Sequence, residues 1–528
     1  MVRRYAHMSV RYLQPYADHV GQRSKGAWRV SVTPSYNGVL GHPRTKRPAR
    51  NRVFGSTAMR GFATPPFIRD RATWSPRVRR RHPLALRLLR IAIAGLVFGA
   101  MGEAGAQTTQ LAPTPAQTRG ENGEALRRPE ATVTLALTYT SDLNGDVSGG
   151  DRRGAAYLQR VGVIADADLD RLVGWRGASA HLSVHSIVGE GLSAHRVGNV
   201  LTVSGIEAEP ALRLFNLWIE QKVGRGATLR VGQFTAGQEF AISPTANLFV
   251  NATFGWPGSF ATDLPSGGPA YPLAAPGIRV ALEPGARTKL RLAVFAGDPA
   301  GPGGGDPQRR DLHGLNGWRL AGKPFVIGEI ARTASGADPA WSIVLGSWVH
   351  FDRFQDLRYD VAGRSLAGQG ANDPALQHAG NAAVYAILDL KLLQSNGRTL
   401  HGFLRGSASP QDRNAIDLYA DGGLSLTQPF KGRPNDVVGI GAAVARLSPR
   451  LRGLVKDQSA LSGQPVFTPA VEAVFEITYQ AQVRRGLSVQ PNVQLVLHPS
   501  AAVIADPQQL SAAPSNAVVV GVRTAFRL

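Results

Sequence analysis

The sequence predicts an all-β fold, a transmembrane antiparallel β-barrel of about 16 strands (16 to 18), and three observations predict it. Apolar and polar residues alternate with a period of two over long segments, an export-type segment precedes them, and the chain ends inside an alternating segment.

The alternation is clearest from Glu472 to Arg484. Ala473, Phe475, Ile477, Tyr479, Ala481 and Val483 form one face, and Glu472, Glu476, Thr478, Gln480, Gln482 and Arg484 the other. After Arg485-Gly486 it resumes, with Leu487, Val489, Val493, Leu495 and Leu497 against Ser488, Gln490, Asn492, Gln494 and His498, which reads as a hairpin. The same pattern opens the region at Val133, Leu135, Leu137 and Tyr139 and recurs near Ile278 and Ile416. About seventeen such segments lie between 131 and 528. A bacterial outer-membrane barrel needs an even number, which gives 16 or 18.

A soluble β-sandwich also alternates, because one face of each sheet packs on the other. The barrel is favoured by the charged and amide residues on the wet face and by segments of about 9 to 11 residues or more, the length of a tilted membrane strand. It is favoured also by the last segment. Val518, Val520, Val522, Phe526 and Leu528 share one face and Arg523 and Arg527 the other, so this strand can close on the first and remove the open edge.

The formal charge of +22 suggests nucleic acid until it is located. Residues 1 to 90 carry 20 Lys and Arg against Asp18 and Asp70, which leaves only +4 for the rest. A basic nucleic-acid face therefore has no support in the body of the chain. Arg77 to Arg90 is basic, Ile91 to Met101 apolar, and Gly105-Ala106 small, the order of a secretory signal peptide over 77–106. The competing single membrane helix fails on length, since Arg87 and Arg90 interrupt it and about 20 apolar residues are needed. Residues 1–76 are then a basic, disordered arm or a misplaced start, with Met59 the alternative initiator. Residues 107–130 are a polar, Pro-containing tail, and 131–528 the barrel. With no cysteine, neither a disulfide nor a thiolate metal site is possible.

The wet faces supply candidate lumen residues: His181, His185, Arg230, Arg279, Glu283, Lys289, Arg291, Asp417, Asp421, Glu472, Glu476 and Arg484, with Glu220 and Lys222 beside Trp218. Pro244 to Pro272 is too long and too rich in Gly, Pro and aromatics for a strand. Loops beyond about 12 to 15 residues are usually functional or disordered, and Phe249, Phe254, Trp256, Phe260 and Tyr271 argue against disorder. This segment is expected to fold into the barrel and narrow it, with Asn251, Trp256, Asp263 and Tyr271 near the passage; the alternative is an external loop. Asp298, Asp306 and Asp311 lack the spacing of an EF-hand, so 298–311 reads as a mobile extracellular loop and no metal or cofactor is expected.

Five tracts, at 212–223, 229–240 (LRVGQFTAGQEF), 248–280, 295–316 and 476–499, together resemble the carbohydrate-selective porin (OprB) family of Gram-negative outer membranes. Two features depart from it: no Gly-Asp-Trp-Gly-Gly tract lies near the N-terminus, and the last residue is Leu528 rather than Phe. The resemblance implies a 16-stranded barrel that passes small saccharides by passive diffusion, without cofactor. A neutral sugar needs fixed donors and acceptors in place of its water, held weakly enough to release it. The mixed charges of Glu220, Arg230, Arg279, Glu283, Arg291, Glu472 and Glu476 suit that task, and aromatic faces can pack on pyranose rings. Outer-membrane lipid and the barrel-assembly machinery are the other expected partners, with a homo-oligomer open. Rival readings are a general or anion-selective, phosphate-like porin, a barrel hydrolase, for which neither G-x-S-x-G nor HExxH is present, and a plugged structural barrel.

Overall fold

The computed structural model describes residues 132–367, 374–464, 468–505, 507 and 514–528. The expected basic arm, signal peptide and polar tail lie outside the described residues. Among the described residues sixteen strands follow one another: β1 (Val133–Gly150), β2 (Gly154–Asp168), β3 (Ala178–Gly189), β4 (Ala211–Val223), β5 (Ala227–Phe234), β6 (Ala275–Gly285), β7 (Thr288–Phe295), β8 (Phe325–Thr333), β9 (Trp341–Asp360), β10 (Ala375–Ser395), β11 (Arg398–Ala408), β12 (Ile416–Thr427), β13 (Val437–Leu447), β14 (Val471–Arg484), β15 (Leu487–Leu497) and β16 (Ser515–Arg527). Each pairs antiparallel with its neighbours in sequence, and β1 pairs with β16 to close the barrel. Of the two expected strand numbers, 16 is the one found.

The two ends differ. At one end the connections are short, among them Gly224–Gly226, Asn396-Gly397 and Arg485-Gly486. Asn396 and Gly397 both have positive φ, 50° and 79°, as a two-residue hairpin turn of the right twist requires. At the other end lie the long connections 190–210, 235–274, 296–324 and 448–470. In outer-membrane barrels the short turns face the periplasm and the long loops the outside. Short helices sit in the connections: α1 (Leu169–Val173), α2 (Gly258–Asp263), α3 (Pro307–Arg310), α4 (Pro449–Ser462) and α5 (Ala501–Ala505).

Burial follows the alternation in a sense that excludes a soluble sandwich. On β14 the exposed apolar residues are Phe475, Ile477 and Val483, while Glu472, Glu476, Thr478 and Gln480 are buried. On β1, Leu135 is 73% exposed, whereas Asp142, Asn144 and Asp146 are buried. A continuous band of exposed Val, Leu and Ile makes sense only where the surrounding medium is itself apolar.

The inner face is not uniformly wet. Phe215, Phe234, Phe295, Phe325, Trp348 and Phe403 point inward and are buried. They are needed because the connections 190–210 and 235–274 fold into the lumen and require a core of their own. Phe249, Phe254 and Leu201 of these inserts cluster with Phe403 and Tyr419 of the wall, and Phe240, Trp256 and Phe260 with Phe325, Trp348 and Tyr385.

The seam is held at both backbone and side-chain level. Leu137 and Leu528 exchange N–H···O bonds of 3.2 and 3.0 Å. Asp142 of β1 lies directly opposite Arg523 of β16, and the guanidinium meets the carboxylate through two parallel 2.8 Å bonds. Breaking one half of such a buried pair strands the other charge, at about 3 to 5 kcal/mol. We therefore expect Asp142→Ala and Arg523→Ala each to lower the unfolding free energy of the vesicle-embedded protein by about that amount, read from the shift of its urea midpoint. The double variant should lose clearly less than the sum, a coupling measurable in a double-mutant cycle.

Candidate functional site

The insert 235–274 crosses the lumen from β5 to the opposite wall, and buried wall side chains grip its backbone. Arg405 of β11 is fully buried and uses its whole fork of donors. It bonds Asp421 of β12 at 2.9 and 2.5 Å and the carbonyls of Ala241 at 2.6 Å, Thr253 at 2.9 Å, Phe254 at 3.0 Å and Gly255 at 3.2 Å. Only a planar guanidinium can satisfy a carboxylate and several carbonyls at once. Glu476 of β14 accepts from the N–H groups of Val250 at 2.7 Å and Asn251 at 2.9 Å, and the Asn251 amide reaches Gln494 and the Leu201 carbonyl, both at 3.0 Å. Asp263, in α2, accepts from the N–H of Ile416 at 3.2 Å, and burial drives its carboxyl well above the ordinary range. Trp256 donates to the Gly267 carbonyl within the insert.

The insert 190–210 is held in the same way. Glu472 accepts from the N–H groups of Val200, Leu201 and Ser500 at 2.7 to 2.8 Å. The two inserts bond each other, Gly205 N–H to Val250 and Ala252 N–H to Thr202, each at 2.9 Å.

Below the inserts, charges line the wall from β4 to β8. Arg230 of β5 and Arg279 of β6 are direct cross-strand neighbours, a repulsive pairing taken alone. Two glutamates bridge them. Glu220 of β4 accepts from Arg230 at 2.8 to 3.0 Å and from Arg279 at 2.5 Å, and Glu239 of the insert accepts from Arg230 at 2.6 Å and Arg279 at 2.7 Å. Arg291 of β7 bonds Glu329 of β8 at 2.6 Å and also donates to the Glu239 carbonyl; Tyr385 of β10 donates to Glu329 at 2.9 Å. The Arg230 guanidinium lies 3.6 Å from the centre of the Trp218 ring, and His181 stacks on Trp218 at 4.9 Å with its ring nitrogen 2.7 Å from Asp166. Cation–π contact, two carboxylates and stacking thus leave Arg230 one orientation.

The chain matches the carbohydrate-selective porin, OprB, family over residues 152–528. It belongs to that family. Porin B of Pseudomonas aeruginosa is 21% identical over 420 residues, covering 73% of this chain and 86% of that protein. The high-pH structure of Pseudomonas putida OprB superposes with a TM-score of 0.64 at 21% identity, covering 75% of this chain and 94% of the other, and supports the fold. The low-pH structure of the same protein gives 0.45 at 16% identity, covering 75% and 93%. This OprB-family porin is a channel of the Gram-negative outer membrane, with its short turns in the periplasm.

The porin brings together five of the residues expected on its lumen at the charged wall: Glu220, Arg230, Arg279, Arg291 and His181, which stacks on Trp218. The others lie elsewhere. Glu472, Glu476, Asn251, Trp256 and Asp263 were expected at the passage, but they are buried between insert and wall, because a folded-in loop must have its own polar groups satisfied. Tyr271 is half-buried, donates to the Ile206 carbonyl and carries Arg160 over its ring at 5.2 Å. Glu283 stands at the periplasmic mouth, exposed and paired with Lys289 at 3.0 Å. Arg484 leaves the inner face at a bulge between Gln482 and Arg484 and lies over outward-facing Phe526 at 5.8 Å. Asp421 is consumed by Arg405, and Asp417 by Arg446 at 2.6 Å.

The loop 298–311, expected to be mobile, is cross-linked by its own acids. Asp298 accepts from Ser266 and Arg310, Asp306 caps α3, and Asp311 accepts from the Asn316 N–H. Among the described residues no acidic or histidine group could hold a metal ion. Sequence reading missed Glu239, Glu329, Arg405 and the insert 190–210. Alternation would have placed Arg405 inward, beside Phe403; Leu192, Val197, Val200, Leu201 and Val203 were the signal for a buried loop.

Within the insert 190–210, Glu207 is buried and accepts from the Ser193 N–H at 3.1 Å; burial raises its carboxyl from 4.5 to about 7. The folded insert therefore retains a proton that the opened insert releases between those values, so its stability is highest below pH 4.5 and falls as pH rises to about 7. Hydrogen exchange of 190–210 should accelerate from pH 5 to 8 by on the order of tenfold to a hundredfold beyond the intrinsic base-catalysed rate, and Glu207→Gln should remove that excess.

Proposed function

We propose that small saccharides diffuse through this porin past the Glu220–Arg230–Arg279–Arg291 wall, with Glu239 of the insert as the opposing acceptor. The observation that carries this is the mutual neutralisation of closely spaced acids and bases. Paired in this way the wall presents guanidinium N–H donors and carboxylate acceptors at fixed positions with little net field, which suits a polyhydroxylated neutral solute better than an ion. Each guanidinium carries five N–H groups. In Arg291, Nη1 makes the bonds to Glu329 and Glu239, and the side chain is 25% exposed, so it offers donors toward the lumen. A sugar exchanges water for these groups one hydroxyl at a time, and the charged wall, already preorganised by its ion pairs, does not reorganise as the solute moves. The inserts supply the narrowing, and the apolar outer band meets lipid.

Deletion of 255–268 should raise single-channel conductance in planar bilayers and speed the swelling of liposomes in mono- and disaccharides; unchanged conductance and flux would sink the narrowing role. Arg291→Ala should weaken sugar block of ion current by about threefold to tenfold, the loss of one charge-assisted hydrogen bond, while the fold persists. Strong anion selectivity in reversal potentials without any sugar block contradicts the proposal and favours a phosphate-like porin.

A further inference from the structure

Arginines at both ends of the barrel are in part matched to acids. At the loop end several arginines are matched to acids: Arg358 with Asp457 at 2.8 Å, Arg364 with Asp360 at 2.9 Å, Arg413 with Asp412 at 2.7 Å and Arg446 with Asp417 at 2.6 Å. At the short-turn end Arg171 and Arg433 are paired in this way, but four other arginines are not. Arg176, Arg332, Arg398 and Arg484 are exposed, and among the described residues none of them has a carboxylate within ion-pair distance. Apart from exposed Asp170, the acids of that end are engaged elsewhere. Asp168 caps α1, Glu283 meets Lys289 on the inner face, and Asp338 and Asp436 are taken by Lys391 and Arg433.

Arg332, Arg398 and Arg484 lie on the outer side, where the apolar band ends, and Arg176 adjoins an exposed apolar cluster. Arg332 continues the outward face of β8 after exposed Ile330 and stands opposite exposed Ile343 of β9 at a distance of one ladder step. Arg398 has the outward parity of Leu404 on β11, and Arg484 covers outward Phe526. Arg176 follows exposed Leu172, Val173 and Trp175, an apolar cluster that has no place in water but fits the boundary between hydrocarbon and headgroup. Cationic side chains snorkelling from the edge of an apolar band sit at phosphate depth.

The geometry points to a basic collar that binds anionic phospholipid headgroups of the periplasmic leaflet, phosphatidylglycerol being the simplest, and fixes the depth of the barrel in the membrane. Charge complementarity favours a lipid over a soluble acidic partner because the arginines sit at the short-turn ends of β3, β8, β11 and β14, spread around the circumference, and each adjoins exposed apolar side chains. They do not converge on a patch. Lys222 and Lys289 on the inner face belong to the aqueous mouth and not to this collar.

The test is spin-label measurement of the lipid shell around the full folded chain in phosphatidylcholine bilayers, comparing labelled phosphatidylglycerol with labelled phosphatidylcholine. We expect an enrichment of phosphatidylglycerol of about threefold or more at low salt, falling toward one at about 1 M salt. The variant carrying Arg176→Gln, Arg332→Gln, Arg398→Gln and Arg484→Gln should lose most of the enrichment, and the four Lys substitutions at the same positions should keep it. Arg364→Gln with Arg446→Gln, at the loop end, should leave it unchanged. Equal association of both lipids with the wild-type protein overturns the collar, as does an enrichment that survives in the Gln variant or that the loop-end variant abolishes equally. If the Gln variant fails to fold, the salt dependence of the wild type still decides. Sugar flux, measured on the same variant, is expected to be unchanged, so the collar and the saccharide passage stand or fall separately.

Discussion

A sheet surrounded by hydrocarbon can place charge only on its inner face, and the rest of this molecule follows from that restriction. Backbone groups are satisfied by closing β1 on β16, and the ionised side chains that polar conduction requires are all driven into one confined volume. There most of them are paired. The seam pair Asp142–Arg523, the four-member cluster of Glu220, Arg230, Glu239 and Arg279, and the fully buried Arg405–Asp421 pair are three solutions to the same problem. In each case the low dielectric that makes an isolated charge so unfavourable makes the satisfied network rigid.

The inserts extend this logic. Connections of about 20 and 40 residues folded inward bring exposed amide and carbonyl groups into the lumen, and the wall answers with carboxylates for the N–H groups and a guanidinium for the carbonyls. The residues involved were therefore chosen for the backbone they hold, not for a solute. A glutamate on the inner face of a strand can be a buried clasp, as Glu472 and Glu476 are, or a lumen acceptor, as Glu220 is, and nothing local to its strand distinguishes the two.

Much of the fold was legible. The strict period of two put Phe475, Ile477, Val520 and Val522 outward and Glu476, Gln490, Gln494 and Arg523 inward, because lipid tolerates no exception over a strand's length. The closing strand was legible for the same reason. The charged wall was half legible: Arg230 and Arg279 could be assigned to the inner face, but their neighbourhood on adjacent strands depends on register. Glu239, which completes the site, comes from an irregular segment with no period to read. Arg484 shows the limit of parity, since one bulge moved it to the other face.

The sequence by itself determined that this is a lipid-embedded barrel with a polar interior, since a two-residue period is a local property that any observer of the chain can read. It also carried the family likeness and the aromatic richness of 244–272. The tertiary structure decided which inward side chains face an open passage and which are sealed beneath an insert. That choice depends on contacts between residues more than 200 positions apart, such as Glu472 with Val200 and Glu476 with Val250, and on registers between strands that no single segment encodes. It decided also that arginines distant in sequence stand around one end of the barrel, because only closure of the sheet turns separate short connections into a ring.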